Sequence, residues 1–216
     1  TGECLDAIEW RGPRYGMEVS PYAIEIAKKS GIRFRQNITN KTAFFDTVIF
    51  RGTIQHVDEP FKLIRDAFTA LKPGGSVVFL QTPDAGSLVY RLWQDLPCLE
   101  PGKNWWVPSE KTLRMALAQA GFADTVTQHR YWTSPYANPG VDHLKFIAQF
   151  FRRSRPSFAF PHNMFDLIAR RRSLLSLDHS LGLSSAAGVP VSKIRGACAV
   201  GAGHQAIAAT DATVVV

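Results

Sequence analysis

Glu18 is the first residue of this sequence whose type and position could bind a ligand. It lies near the end of a short stretch, GMEVS, that precedes a helical pattern. A carboxylate between a strand and the next helix can accept hydrogen bonds from the hydroxyl groups of a ribose. It can also be an exposed glutamate that the helix dipole favours. The flanking pattern of strand and helix favours the ligand-binding interpretation.

His56 is the residue best suited to moving a proton, because the unperturbed pKa of histidine is about 6.5. It follows Arg51-Gly52 and stands directly after Gln55. A histidine could deprotonate a hydroxyl group that lies within hydrogen-bonding reach. It could equally be a structural residue that caps its loop. The sequence leaves both interpretations of His56 open.

The elements that must position these residues are clearest between Phe45 and Asp84. Phe45 to Phe50 is a β-branched and aromatic run, which predicts a buried strand. Pro60 can open a helix, since its missing N–H falls among the donors that are free there. Apolar residues recur at helical spacing until LKPGG stops the helix, and Ser76 to Leu80 is the next strand. The unit predicts two parallel strands joined by a crossover.

Similar patterns extend in both directions along the chain. Upstream we expect a strand at 15–19, a helix from Pro21 to Ser30 and a strand from Ile32 to Arg35. Downstream, Ser109 looks like the N-cap of a helix at 110–120. The other predicted elements are helices at Ser87 to Leu96, Val141 to Arg152 and Asn163 to Arg171, and a strand at Phe122 to Tyr131.

The motifs of these elements together resemble the class I S-adenosylmethionine-dependent methyltransferases. They are an aspartate-bearing strand, a loop with RGTIQH, a helix that starts with DEPF, LKPGG before an apolar strand, TPD, and a later WWVPS…L…AGF block. The resemblance covers roughly residues 1–170. It implies an α/β fold of the Rossmann-like, doubly wound type with a mostly parallel sheet, and S-adenosylmethionine as cofactor.

The resemblance also predicts an N-terminally truncated member of the family. Thr1-Gly2 matches the last residues of the family's glycine-rich loop, GxGTG, so we expect the first strand and the start of that loop to be missing. That strand is central in the family's sheet, and its loss would leave backbone groups unpaired. We therefore expect this chain alone to fold poorly or to bind the cofactor weakly.

The resemblance assigns a cofactor-binding role to a set of residues at the strand ends. Glu18 would hold the ribose, Asn37 would read the adenine amino group, and Arg51 and Gly52 would line the methionine portion. Asn37 could equally be an ordinary residue of a turn. The complete predicted set is Gly2, Glu18, Val19, Ser20, Asn37, Ile38, Arg51 and Gly52.

The predicted acceptor is a small molecule, a glycan or a lipid-linked intermediate that is methylated on oxygen or nitrogen, with His56 as the candidate base. Many relatives have Glu-His where this chain has Gln55-His56. Two alternatives remain: an inert methyltransferase-like binding module, and a nicotinamide-dependent oxidoreductase, which would leave LKPGG unexplained. Six aromatic residues could line the acceptor site or belong to the core: Tyr90, Trp93, Trp105, Trp106, Tyr131 and Trp132.

Composition and charge restrict the function classes further. The three cysteines lie far apart without the spacing of a metal site, which favours reduced thiols in a cytoplasmic protein. The net charge is +7, and no nucleic-acid-binding module of the usual kinds is visible. Two arginine groups near aromatic residues could contact a membrane surface or could simply be solvated. They are Arg152, Arg153 and Arg155, and Arg170, Arg171 and Arg172.

The predicted domain organisation has three parts. Residues 1–132 form a methyltransferase domain whose cofactor half is 1–82. Residues 133–172 form a C-terminal helical insertion that completes it. Residues 173–216 are rich in Ala, Gly, Val and Ser without aromatic residues, which predicts a low-complexity, disordered tail. The β-prone end, Thr213 to Val216, could pair with a sheet edge.

Overall fold

The structure is a computed structural model that describes residues 5, 12–18, 20–34, 38, 42–100, 102–132, 137–172 and 212–213. These residues form five α-helices and seven β-strands. The helices are α1 (Pro21–Lys29), α2 (Pro60–Ala70), α3 (Leu88–Trp93), α4 (Glu110–Gln119) and α5 (Pro139–Arg152). The strands are β1 (Tyr15–Gly16), β2 (Arg33–Phe34), β3 (Phe45–Arg51), β4 (Leu71–Pro83), β5 (Phe122–Gln128), β6 (Met164–Arg171) and β7 (Ala212–Thr213).

The strands form two sheets. One is a parallel pair of β1 and β2, and the other has five strands in the order β5-β6-β4-β3-β7. β3 and β4 are parallel, with Val48 opposite Val77 and Phe50 opposite Phe79. β6 is antiparallel to both β4 and β5, so β3, β4 and β5 run in one direction. Helices alternate with these strands, which confirms the predicted doubly wound, Rossmann-like α/β fold.

The sheet is buried on both faces, as the nearly continuous apolar runs of its strands require. Phe50, Phe79 and Leu167 lie on the face that α2 and α4 cover, where they pack with residues such as Ile64 and Leu117. Ile49, Val78 and Ile168 alternate with them and are also buried. Period-2 alternation therefore places apolar side chains on both sides of each central strand.

The LKPGG segment forms the irregular start of β4. α2 ends at Ala70, and the register with β3 shifts between Phe45–Leu71 and Thr47–Ser76. A Cβ atom on Gly75 would lie 2.9 Å from the Lys72 carbonyl oxygen and 3.0 Å from that of Asp46. Only glycine fits this close approach of two backbones. The Lys72 ammonium group pairs with the Asp46 carboxylate at 2.8 Å.

The predicted helix at Asn163–Arg171 is wrong, because these residues form strand β6 between β4 and β5. Periodicity alone does not separate a short apolar run in a buried strand from a helical segment. The side chains from Phe165 to Ala169 are all buried, which is typical of a strand inside a sheet. Residues 133–172 are therefore not entirely helical, although the predicted helix at 141–152 is confirmed as α5.

The chain end also contributes to the sheet. β7 pairs antiparallel with β3, with Thr213 opposite Ile49 and Ala212 opposite Phe50. Thr213 is the one described residue of the predicted β-prone end, and its pairing with a sheet edge is confirmed. The rest of the predicted tail lies outside the described residues. In the part of the chain that the structure describes, no helix has both the length and the apolarity to cross a membrane.

Candidate functional site

The loop that follows β3 brings several predicted site residues together. Arg51 ends the strand, and Gly52 has a positive φ of 56° that favours glycine. The Gly52 N–H donates to the Leu80 carbonyl oxygen at 2.9 Å, which ties the loop to β4. A Cβ atom on Gly52 would meet only the side-chain nitrogen of Gln55, at 3.9 Å. The backbone here is therefore fixed in position and open to close approach.

Two buried polar atoms in this loop have no hydrogen-bond partner: Nε of Arg51 and Oε1 of Gln55. Buried polar groups are normally satisfied, so such atoms need an explanation. Gln55 itself is only 5% exposed, and its side-chain nitrogen donates to the Gly52 carbonyl oxygen at 3.0 Å. The free donor and the free acceptor flank Gly52 in sequence. They are the kind of groups that a polar ligand with an anionic and a cationic end would satisfy.

His56 is held by hydrogen bonds at both ring nitrogens. Its Nδ1 lies 2.9 Å from the Lys103 carbonyl oxygen. A carbonyl oxygen only accepts, so Nδ1 carries the hydrogen and Nε2 of the neutral ring accepts from the Gln55 side chain at 3.3 Å. The geometry favours the structural interpretation of His56, since its lone pair is engaged within the protein. The catalytic role stays a prediction.

The connector after β4 reaches back to the same loop. The N–H of Trp105 donates to the Gln55 carbonyl oxygen at 2.8 Å. Trp106 packs against the ring of Phe61, with ring centroids 5.0 Å apart. The WWVPS block therefore closes one side of the loop, a contact that the linear sequence does not indicate.

Glu18 lies two residues after β1, which ends at Gly16, whereas we expected Glu18 inside a strand at 15–19. Its Oε1 accepts a hydrogen bond from the Ser20 N–H at 2.8 Å, and the Ser20 hydroxyl accepts from the Ala23 N–H at 3.4 Å. Both residues thus shape the N-terminus of α1, where the helix dipole favours a carboxylate. Glu18 is half-buried.

The remaining predicted cofactor residues divide into two groups. The side chain of Ile38 is 2% exposed and packs in the main core, which leaves its backbone for any ligand contact. Gly2, Val19 and Asn37 lie outside the described residues.

Asp84 anchors a second polar group at the end of β4, one that sequence reasoning noted only as part of TPD. Its Oδ1 accepts from the N–H groups of Gly86 at 2.7 Å and Glu110 at 3.3 Å, the latter in the first turn of α4. Burial raises the pKa of the Asp84 carboxyl group, and the backbone hydrogen bond from Gly86 partly offsets this. A Cβ atom on Gly86 would lie 3.0 Å from Oδ1, so glycine makes this close turn feasible.

Further polar residues surround Asp84 at the ends of β5 and β6. Glu110 contacts His129 at 3.2 Å, and the His129 ring lies 4.0 Å from that of His162. Asp166 accepts from the Gln81 N–H at 2.9 Å, at a bulge in β4 where Gln81 has a φ of 54°. Sequence reasoning missed this group, because β6 was predicted as a helix. Among the described residues, no cluster of three or more His, Cys, Asp or Glu residues could hold a metal ion.

The six aromatic residues have different surroundings. Trp93 packs edge-on against Phe146, Phe150 and Phe158 in a small separate core. Tyr131 is buried and donates to Asp142 at 3.0 Å. Trp105 and Trp132 are 72% and 73% exposed. Trp93 and Tyr131 are thus packing residues, while Trp105 is placed beside the loop of Gln55.

Comparisons with known proteins agree with this architecture. A family model described as "Methyltransferase domain" matches residues 1–127. The tRNA U34 carboxymethyltransferase of Desulfotalea psychrophila is 31% identical over 83 residues, which are 38% of this chain and 26% of that protein. The enzyme of the same name from Trichodesmium erythraeum is 27% identical over 120 residues, which are 56% and 35%. The chain thus spans about a quarter to a third of the length of these curated relatives.

Two solved structures share the fold. A SAM-dependent methyltransferase from Thermotoga maritima has a TM-score of 0.52 at 22% identity, covering 74% of this chain and 73% of its own. A chain in the complex of the Haloferax volcanii Trm112 methyltransferase activator with a methyltransferase has a TM-score of 0.51 at 12% identity, covering 73% and 71%. At these identities the similarity concerns the fold alone. Since the family match takes in more than half of the chain and the α/β fold agrees with it, this chain belongs to the methyltransferase-domain family, among the class I S-adenosylmethionine-dependent methyltransferases.

Proposed function

We propose that this protein transfers a methyl group from S-adenosylmethionine to an oxygen or nitrogen atom of a small-molecule, glycan or lipid-linked acceptor. The observation that carries the proposal is the loop after β3. It combines an open glycine, Gly52, with the unpartnered buried atoms of Arg51 and Gln55. The cofactor would supply the activated methyl group on its sulfonium.

The residues present fit the polar ends of this cofactor. The guanidinium of Arg51 suits a carboxylate, and Oε1 of Gln55 can accept from an amino group. The Glu18 carboxylate would hold the ribose hydroxyls while it keeps its hydrogen bond from Ser20. Of the other predicted cofactor residues, Ile38 would contribute its backbone, and Gly2, Val19, Ser20 and Asn37 stay predictions.

The acceptor would enter over the connector that carries Trp105 and over His56. Methyl transfer is an in-line displacement, so positioning the reactants supplies much of the rate and a general base is not obligatory. The engaged ring nitrogens of His56 are consistent with a mechanism in which this loop orients the acceptor.

A nucleic-acid acceptor is the second candidate. Both curated relatives are named as tRNA U34 carboxymethyltransferases, although each match covers only part of either protein. Against it stands the absence of a recognisable nucleic-acid module in the sequence. Transfer of a labelled methyl group to total tRNA distinguishes the two candidates, because a chain of net charge +7 binds nucleic acid non-specifically and binding alone would not.

Calorimetric titration with S-adenosylhomocysteine tests the proposal. We expect Glu18→Ala to weaken binding by about 1–3 kcal/mol, or roughly 5- to 150-fold, because the ribose hydroxyls lose a charged acceptor. Glu25→Ala is the matched control, since Glu25 is an exposed glutamate on α1. Thermal melts of both variants separate this effect from the loss of the Ser20 contact.

Two results would contradict the proposal. Equal binding of S-adenosylhomocysteine by the Glu18→Ala variant and by the protein without substitutions would contradict the ribose-binding role of Glu18. Binding of a nicotinamide dinucleotide in place of S-adenosylhomocysteine would indicate the oxidoreductase alternative.

A further inference from the structure

α5 carries a stripe of exposed apolar side chains, which we define as Val141, Leu144, Ile147 and Phe151. Their exposed fractions are 42%, 69%, 53% and 79%. Their spacing of three and four residues places them on one side of the helix. In a folded protein such a stripe normally packs against a core. An exposed apolar stripe of this kind marks a site of interaction with an apolar partner.

The opposite side of α5 is fixed to the protein, so the stripe cannot turn inward. Asp142 is 4% exposed and accepts from the Tyr131 hydroxyl at 3.0 Å and the Asn138 N–H at 2.8 Å. Further along the helix, Phe146 packs against Trp93 and Phe158. These contacts hold the apolar stripe toward the surface.

The exposed charges of α5 are all positive. Lys145 and Arg152 are exposed on the same flank of the stripe, about 20° apart in helical projection. The helix contains one acidic residue, Asp142, which is buried and hydrogen-bonded. Arg153 follows as the exposed C-cap. The surface therefore combines apolar side chains with positive charge and lacks an exposed negative charge.

We propose that α5 binds the surface of an anionic lipid bilayer, with the stripe inserted among the acyl chains and the cationic side chains beside the headgroups. Helices that lie in a membrane interface have this arrangement. A nucleic acid would engage the cations but would leave Leu144 and Ile147 in water. Antiparallel pairing with a second copy would bring Lys145 close to the partner's Arg152, which like-charge repulsion opposes. The inference does not depend on the proposed methyl transfer.

Co-sedimentation with vesicles tests the inference on the purified protein. We expect binding to vesicles of phosphatidylcholine with about one-third phosphatidylglycerol, weaker binding to phosphatidylcholine alone, and loss of the difference at about 1 M salt. The double variant Leu144→Glu/Phe151→Glu should bind at least about tenfold more weakly, because two inserted side chains become charged. Met115→Glu on α4 is the matched control, as Met115 is 54% exposed on another helix.

Several results would overturn the inference. They are no binding to anionic vesicles, equal binding by the double variant and the protein without substitutions, equal loss in the Met115→Glu control, and a dimer that the double variant dissociates. Binding of tRNA that the double variant abolishes would equally assign the stripe to a different partner. Far-ultraviolet circular dichroism verifies that each variant is folded. If the double variant is unfolded, the variant Lys145→Gln/Arg152→Gln replaces it, and it must reduce the difference in binding between anionic vesicles and phosphatidylcholine vesicles.

Discussion

Both ring nitrogens of His56 are engaged inside the protein, and this decides what the residue can do. Nδ1 donates to the Lys103 carbonyl oxygen while Nε2 accepts from Gln55. The imidazole thus joins the loop after β3 to the connector after β4. A general base needs a free lone pair near its proton, and this ring would first have to release Gln55.

The first residue-scale prediction is that His56→Ala lowers the free energy of unfolding by about 1 kcal/mol, because a hydrogen bond between the two segments is lost. Urea titration measures it. Lys103→Ala is the control, since it keeps the backbone carbonyl that His56 uses. A fall in methyl transfer of about 100-fold or more with unchanged stability would instead identify His56 as a base.

The second residue-scale prediction concerns Asp84, whose pKa is raised above its ordinary value of 3.8, first of all by burial. The folded protein therefore holds this proton more tightly than the unfolded chain. The resulting stability is fully present below the unfolded pKa and is lost as the pH rises through the folded pKa. Asp84→Asn cannot ionise and keeps an oxygen acceptor for Gly86.

We therefore expect the stability of Asp84→Asn, relative to the protein without substitutions, to increase as the pH rises from about 4 to about 7. Urea unfolding across this range measures the difference. Asp58→Asn, at an exposed position, is the control for the substitution itself. A difference that stays constant with pH would show that Asp84 has the same proton affinity in both states.

At the scale of elements, β6 separates the two arginine groups that the sequence suggested as one membrane contact. Arg155 forms an ion pair with Asp95 at 2.6 Å in the connector after β4. Arg171 is the last residue of β6, where it donates to the carbonyl oxygens of Phe68 at 2.7 Å and Leu71 at 2.6 Å. Its guanidinium also lies 4.7 Å from the centre of the Phe68 ring. Arg171 therefore caps the C-terminus of α2.

The element-scale prediction is that Arg171→Ala lowers the free energy of unfolding by about 2–3 kcal/mol. The reason is that the carbonyl groups at the C-terminus of α2 lose their hydrogen bonds from a charged donor. Arg171→Lys should recover only part of this, because an ammonium does not reproduce the planar fork. Urea titration measures both. The neighbouring Arg172→Ala, at an exposed position, should stay within about 0.5 kcal/mol. Equal effects of the two alanine variants would refute the capping role.

At the scale of the whole molecule, a large hydrophobic core and a smaller one that is separate from it both support the helices around the sheet. The larger one joins the sheet to α2 and α4. The smaller one contains Val89, Leu96 and Phe158 as buried members, with Trp93 and Phe146 packed against them. It holds α3 and α5 together beside the carboxyl end of β4. The helices α3 and α5 thus depend on their own small core.

The whole-molecule prediction is that Phe158→Ala loosens α3 and α5 while the sheet stays intact. Phe158 is 2% exposed, so its removal leaves a cavity in the small core. Hydrogen exchange should accelerate at 88–93 and 139–152 and stay slow in β3, β4 and β6. Phe79→Ala, in the main core, should accelerate exchange throughout. A uniform acceleration by Phe158→Ala would mean that the two cores unfold as one unit.

The sequence alone determined the parts of this protein that rest on local rules. Pro60 with the apolar spacing after it predicted α2, Ser109 predicted the start of α4, and the β-branched run at 45–50 predicted β3. The strand–helix alternation and the motifs around LKPGG also identified the fold and the family. Glu18 at a strand end and Gly52 after another could be named because strand ends and glycines have local signatures.

Only the tertiary structure decided which residues meet. The run at 163–171 fits a helix or a strand equally well by its own pattern, and its place between β4 and β5 made it β6. The closure of the Gln55 loop by Trp105 and the capping role of Arg171 are contacts between segments about 50 to 100 residues apart. The burial of the unpartnered Gln55 Oε1 likewise depends on the folded structure. Local periodicity carries no information on such pairings, because they are set by which buried surfaces fit together. The exposed stripe of α5 has the same cause. The sequence predicted this helix, but the contacts of Asp142 and Phe146 determine which of its sides is exposed to solvent.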